Sequence, residues 1–151
     1  DMDTSGLMVF ARTKEAQRAL SRQFELRKVG KTYEALVEGL IASERGTIDA
    51  PIAKYSLQRP LRHLDPDGQA AITHWRVLNH DNDRTRVLLT PETGRSHQLR
   101  LHLSSLGHAI LGDDFYGDPD SYARLCLHAK TLEFDHPTDM GRTTFEAPTP
   151  F

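Results

Sequence analysis

The chain has 151 residues, 38% hydrophobic and 26% charged with a formal net charge of −2, the composition of one globular domain rather than a disordered segment. No apolar run approaches the roughly 20 residues that a membrane-spanning helix needs, so no membrane partner is expected. Cys126 is the only cysteine, which excludes an internal disulfide and a thiolate zinc site and fits a cytoplasmic setting.

The chain opens on Asp1-Met2-Asp3-Thr4-Ser5-Gly6-Leu7, a polar loop running into an apolar segment. Gly6 permits positive φ or close backbone approach. Thr4 and Ser5 can tie the loop to nearby backbone, which would present Asp1 or Asp3 as a fixed carboxylate. Taken alone, these residues also suit an ordinary turn. Residues 7–11 read as a buried strand. Thr13 is the expected N-cap of a helix running to about residue 26, with Ala16, Ala19, Leu20 and Phe24 as its apolar stripe. Lys28-Val29-Gly30 breaks it. Residues 32–38 follow as a strand closed by Gly39, and residues 47–52 as a short strand. Residues 54–69, with Pro60, Pro66 and Gly68 among charges, read as a long exposed loop.

Residues 71–78 and 84–89 predict a hairpin turning at Asp81-Asn82-Asp83. Thr93-Gly94-Arg95-Ser96 leads into a helix over 97–106, with Ser96 as N-cap and Gly107 as stop. Leu99, Leu103 and Leu106 would face the core. A Gly/Asp/Pro-rich loop spans 112–120, and residues 125–129, 132–134 and 143–145 read as closing strands. The pattern predicts one α+β domain over residues 1–151, a mainly antiparallel central sheet flanked by helices and loops.

Charge is unevenly placed. Arg12, Lys14, Arg18, Arg22, Arg27, Lys28 and Lys31 crowd one stretch; Arg59, Arg62 and His63 form a second group; Arg95, His97, Arg100 and His102 form a third. Acidic residues gather at Asp113, Asp114, Asp118 and Asp120. A nearly neutral chain can still present a basic face to phosphates. Residues 93–102 are the densest polar cluster. In a helix starting near Ser96, Arg100 lies one turn on, aimed along the helix start towards an anion or carboxylate. His97 and His102 are five apart, a poor spacing for two ligands on one helix, and H-E-x-x-H, G-x-S-x-G and P-loop patterns are absent. No metal site is expected.

Together these pieces resemble the RluA-type family of RNA pseudouridine synthases. Asp1 to Leu7 is similar to the second half of its H-R-L-D-x-x-T-S-G-L signature, and Lys31-Thr32-Tyr33 to its K-x-Y element. Gly94-Arg95-Ser96-His97-Gln98-Leu99-Arg100-Leu101-His102 resembles G-R-x-H-Q-[IL]-R-x-H. His108 to Asp113 with Tyr116-Gly117 resembles H-P-I-x-G-D-x-x-Y-G, with Ala109 in place of proline. Arg124-Leu125-Cys126-Leu127-His128-Ala129 resembles R-L-x-L-H-A.

The resemblance implies isomerisation of uridine to pseudouridine in ribosomal RNA stem-loops, transfer RNA stem-loops or both, by a monomer without metal or organic cofactor. It assigns Asp1 as the catalytic aspartate, Tyr33 as the tyrosine that stacks on the uracil and is a candidate general base, and Arg100 as the arginine paired with the aspartate. Arg95, His97, Gln98, Leu127 and His128 become candidates for substrate contact. The residue types suit the chemistry: a fixed carboxylate can stabilise, attack or deprotonate the sugar, an adjacent arginine keeps it ionised, and a flipped base can stack on a tyrosine. Outside that context Tyr33 reads as a packed aromatic, Arg100 as a surface residue or salt-bridge partner, His97 and His102 as histidines hydrogen-bonded within the helix environment, and His128 as a satisfied core histidine. The H-R-L that precedes the aspartate in the family is missing, so the expectation is an N-terminally truncated catalytic domain of weak or no activity. The rival readings are a non-catalytic RNA-binding module and a glycosidic hydrolase.

Overall fold

The computed structural model describes residues 1–151, the side chain of Arg59 apart. Its elements are β1 (Ser5–Gly6), α1 (Lys14–Glu25), β2 (Gly30–Glu38), β3 (Arg45–Asp49), β4 (Ile52–Ser56), β5 (Arg59–Leu64), β6 (Ile72–Asp81), β7 (Arg84–Pro91), α2 (Gln98–Ser105), β8 (Leu127–Asp135) and β9 (Arg142–Glu146). A seven-stranded sheet runs in the order β1-β8-β2-β7-β6-β3, with β9 also paired to β8. Every pairing in it is antiparallel except β1 with β8. The expected α+β class and mainly antiparallel sheet are what the structure shows.

The apolar run Ala35-Leu36-Val37 suits the middle of the sheet, where β2 is covered on both faces. In β7 the period of two buries Thr85, Val87 and Leu89. Thr85 is tolerated there because its hydroxyl donates to the Gly39 carbonyl (2.7 Å) and accepts from the Ile41 N–H (3.0 Å). Leu99 and Leu103 of α2 complete this core with Ile110, Leu111 and Leu125.

Thr13 caps α1 as expected, its hydroxyl accepting from the Ala16 N–H at 3.1 Å. The helix ends in a left-handed Arg27 (φ 54°), with Lys28 N–H reaching back to the Gln23 carbonyl. The buried Gln23 docks α1 on β8: its amide donates to the Asp135 carbonyl (2.8 Å) and accepts from the Asp135 N–H (2.7 Å).

Several expectations are corrected. Residues 7–11 form no strand: only Ser5–Gly6 pairs with β8, and Met8 and Phe10 are 69% and 79% exposed. The apolar run is real, but no sheet edge remains to receive it beyond the Leu7 N–H bond to the Ala129 carbonyl. Residues 54–69 are largely the β4–β5 hairpin, not a loop. Strand β3 begins at Arg45, two residues before the expected start, and stops at Asp49. The N-cap of α2 is His97 rather than Ser96. Residues 125–129 and 132–134 are not two strands; β8 runs through both. Leu106 and Phe24 are partly exposed rather than core.

Candidate active site

The site grows from Arg100, on the first turn of α2 and 2% exposed. A buried guanidinium needs its donors met. Its Nε and Nη2 make a bidentate pair with Asp113 (3.0 and 2.6 Å), Nη2 also reaches Asp114 (2.9 Å), and Nη1 reaches Asp1 Oδ1 (3.3 Å). The guanidinium lies 4.9 Å from the Phe115 ring centroid. Asp113 is fully buried and also accepts from the N–H groups of Phe115 and Tyr116 (2.9 and 3.0 Å). Burial pushes its pKa up, but the Arg100 hydrogen bonds and these N–H groups outweigh burial and hold it below the ordinary carboxylate value. Burial likewise opposes the Arg100 charge, and Asp113 reverses that.

Asp1 has its side chain largely covered, and Asp3 is exposed. Gly6 makes this placement possible. It adopts φ 101°, and a Cβ there would collide with the Ala129 carbonyl, so only glycine lets the opening loop lie on β8.

His97 holds a left-handed conformation (φ 57°) at the start of α2, which turns its ring between Tyr116 and Asp1. Burial, then the charges of Arg100 and Arg62, push its pKa down, so the ring is neutral at neutral pH. Its tautomer follows from its neighbours. Tyr116 Oη accepts from the Arg62 backbone N–H (2.9 Å), so its own hydrogen goes to His97 Nδ1 (2.7 Å). The ring hydrogen then sits on Nε2, 3.2 Å from Asp1 Oδ1. Two groups thus face one oxygen of Asp1, and Oδ2 has no partner among the described residues.

That carboxylate opens on a cleft of about 540 Å³ lined by the opening loop, β2, β8 and the loop before α2. Tyr33 lies on its wall. A bulge opposite Thr32 and Tyr33, where Lys130 is the extra residue of β8, shifts the register just where Tyr33 enters the cleft. Burial pushes the Tyr33 phenol above its ordinary value, so it is neutral at neutral pH.

The structure brings Asp1, Tyr33, Arg95, His97, Gln98 and Leu127 to this cleft and Arg100 to its edge behind Asp1. Gln98 is committed: it donates to the Ile72 carbonyl and Thr73 hydroxyl and accepts from the Thr93 hydroxyl and Arg95 N–H. His128 is not brought there, its ring nitrogens lying against Ser5 Oγ (2.9 Å) and the Ala147 carbonyl (3.0 Å). His102 is buried between the Thr73 hydroxyl and the Ala50 carbonyl. Of the second basic group, Arg62 and His63 lie on β5, and the Arg59 side chain lies outside the described residues. Burial raises the Cys126 thiol to about 11, which removes it as a nucleophile. Among the described residues, no group of three or more His, Cys, Asp or Glu side chains is placed to hold a metal.

Sequence reasoning missed the roles of Asp113, Asp114 and Tyr116. The G-D-x-x-Y-G stretch carried the signal, since a buried arginine must find carboxylates and the nearest acidic cluster follows α2.

A sequence profile described as RNA pseudouridylate synthase matches residues 1–105. The chain belongs to the RNA pseudouridylate synthase family. It is 47% identical to the dual-specificity RNA pseudouridine synthase RluA of Pasteurella multocida, over 100% of this chain and 71% of that protein. It is 40% identical to the ribosomal large subunit pseudouridine synthase D of Vibrio cholerae, over 99% of this chain and 51% of that protein. The solved structure of human RNA Pseudouridylate Synthase Domain Containing 1 superposes with a TM-score of 0.88 at 35% identity, covering 100% of this chain and 67% of that one. The pseudouridylate synthase profile spans Asp1, Tyr33 and Arg100 and stops before Asp113 and Tyr116.

Proposed function

We propose that this RNA pseudouridine synthase isomerises a uridine in a stem-loop of ribosomal or transfer RNA, with Asp1 as its reacting carboxylate. The observation that carries this reading is the carboxylate itself: one oxygen is anchored by buried Arg100 beside His97, the other has no partner among the described residues, and Asp1 lines a cleft with Tyr33 on its wall. In the reaction the C1′–N1 bond breaks, the uracil turns, and a C5–C1′ bond forms; the C5 proton leaves and N1 gains one. The change is redox-neutral and calls for no electron carrier. Asp1 addresses the sugar, by attack at C1′ or by removing a sugar proton. Tyr33, neutral in its buried setting, offers a stacking face and a hydrogen bond rather than a phenolate base. The cleft admits a base only after it has been flipped from its stack. Arg95 and His97 lie where they would meet it, whereas Gln98 and His128 act by holding the surrounding backbone. The 47% and 46% identity to two relatives named dual-specificity RNA pseudouridine synthases supports a synthase that accepts more than one RNA.

Nucleoside analysis of stem-loop transcripts treated with the full-length protein tests this. Pseudouridine appearing at the expense of uridine is the expected result. Release of free uracil would reveal a hydrolase, and tight binding of unchanged RNA would reveal a binding module; either overturns the proposal.

A further inference from the structure

Lys31 is a half-buried ammonium that has no counter-ion among the described residues. Burial alone moves its pKa, downwards, and no carboxylate there pairs with it. An unpaired cation drawn out of water costs stability, so its presence beside a cleft points to a ligand that supplies the missing charge. The ammonium stands where the main cleft meets a neighbouring cavity of about 530 Å³, between the end of α1 and the loop before α2. Gly94 faces it, and a Cβ there would come to 3.1 Å from Nζ. Arg95, also on that wall, uses Nε for the Ala70 carbonyl (2.9 Å), and its Nη groups make no hydrogen bond to the described residues. Arg27 adds a third cation; of the two acids present, Glu92 lies 3.5 Å from His74 and Glu25 is exposed.

We infer that Lys31 and Arg95 form a subsite for a backbone phosphodiester of the RNA strand next to the target uridine. This rests on the RNA reading above. A strand whose base enters the main cleft must leave along an adjoining groove, and its next phosphate brings a negative charge to one that offers cations. Lysine suits this role as a point charge that fixes position without reading sequence.

The test is a salt titration of binding to a uridine-containing stem-loop RNA by the full-length protein and its Lys31→Gln and Lys31→Arg variants. For Lys31→Gln the expected result is about tenfold weaker binding at moderate salt. The slope of log K against log salt should become shallower by about 0.7 to 0.9. Thermal stability should not fall, since an uncompensated buried charge has gone. Lys31→Arg should restore most of the slope. An unchanged slope in Lys31→Gln overturns the subsite, and does so even while pseudouridine forms normally. A reduced slope without any pseudouridine from the wild type supports the subsite and overturns the proposed chemistry instead. As a check that needs no variant, neutral methylphosphonate linkages placed singly in the RNA should weaken wild-type binding next to the target uridine, and no loss at any such linkage overturns the subsite.

Discussion

Two buried charge clusters sit in this small molecule. Around Arg100 are Asp1, Asp113 and Asp114, with His97 and Tyr116 beside them. Around Glu34 are Arg86 (2.9 Å), Thr149 (2.5 Å) and Lys130 (3.8 Å), and Arg86 lies over the Phe151 ring. Burial raises the Glu34 pKa, but the Thr149 and Arg86 hydrogen bonds outweigh it and keep the carboxylate ionised. The difference is closure. Both Glu34 oxygens have partners and the C-terminal segment supplies one of them, whereas Asp1 keeps one oxygen unpartnered at a cavity. A buried ion pair therefore does not mark a site by itself; what sets Asp1 apart is a held carboxylate with one oxygen left without a partner at a cleft.

The sharpest break between the two clusters is catalytic. Asp1→Asn should cut pseudouridine formation by about 10³-fold or more while RNA binding persists. Glu34→Gln should change thermal stability with little effect on turnover by the folded protein, and matched kinetic and melting curves compare them directly.

Next comes the cost of stranding a buried partner. Arg100→Met leaves Asp113 without its guanidinium and should lose about 3–5 kcal/mol, read from denaturant unfolding. Arg86→Met should cost about 1–3 kcal/mol, because Glu34 keeps Thr149 and Lys130.

Smaller is the effect of freeing His97. Tyr116→Phe removes the hydroxyl that fixes the ring tautomer and should lower kcat about tenfold, a positioning effect, with KM nearly unchanged. Thr149→Val, the counterpart in the other cluster, should move the melting temperature and leave kcat alone.

The smallest effect is on pH dependence. His97 and His102 have folded pKa values below the ordinary histidine value, so the unfolded chain takes up protons first. Their contribution is complete above about pH 6.5 and is lost as pH falls towards the folded values. His97→Gln should flatten part of that slope in melting curves. Asp113 and Glu34, both depressed, add a separate loss only once pH falls below about 4 and through their folded values.

The helix α1, the β6–β7 hairpin and α2 were legible because caps, turn residues and apolar spacing act locally. The left-handed turn at Asn82 (φ 53°) and the Thr13 cap needed no tertiary information. Residues 7–11 misled because an apolar run states a need for cover without saying whether a sheet edge is available. Residues 54–69 misled because Pro60 and the basic residues Lys54, Arg62 and His63 lie within a two-stranded hairpin, while Pro66 and Gly68 follow it. At the candidate site, the ordered motifs singled out Asp1, Tyr33 and Arg100, which the fold brings to one cleft or its edge. They did not reveal that Arg100 spends most of its donors on Asp113 and Asp114, nor that His128 turns away to Ser5, since side-chain direction at a bulged strand depends on register.

The central claim is that Asp1, held by Arg100, does the chemistry. Its most direct test is single-turnover pseudouridine formation in a bound stem-loop RNA by the full-length wild-type protein and its Asp1→Asn variant, with RNA occupancy measured in the same samples. Product from the wild type and essentially none from Asp1→Asn at equal occupancy is the predicted result; comparable single-turnover rates from both would contradict it.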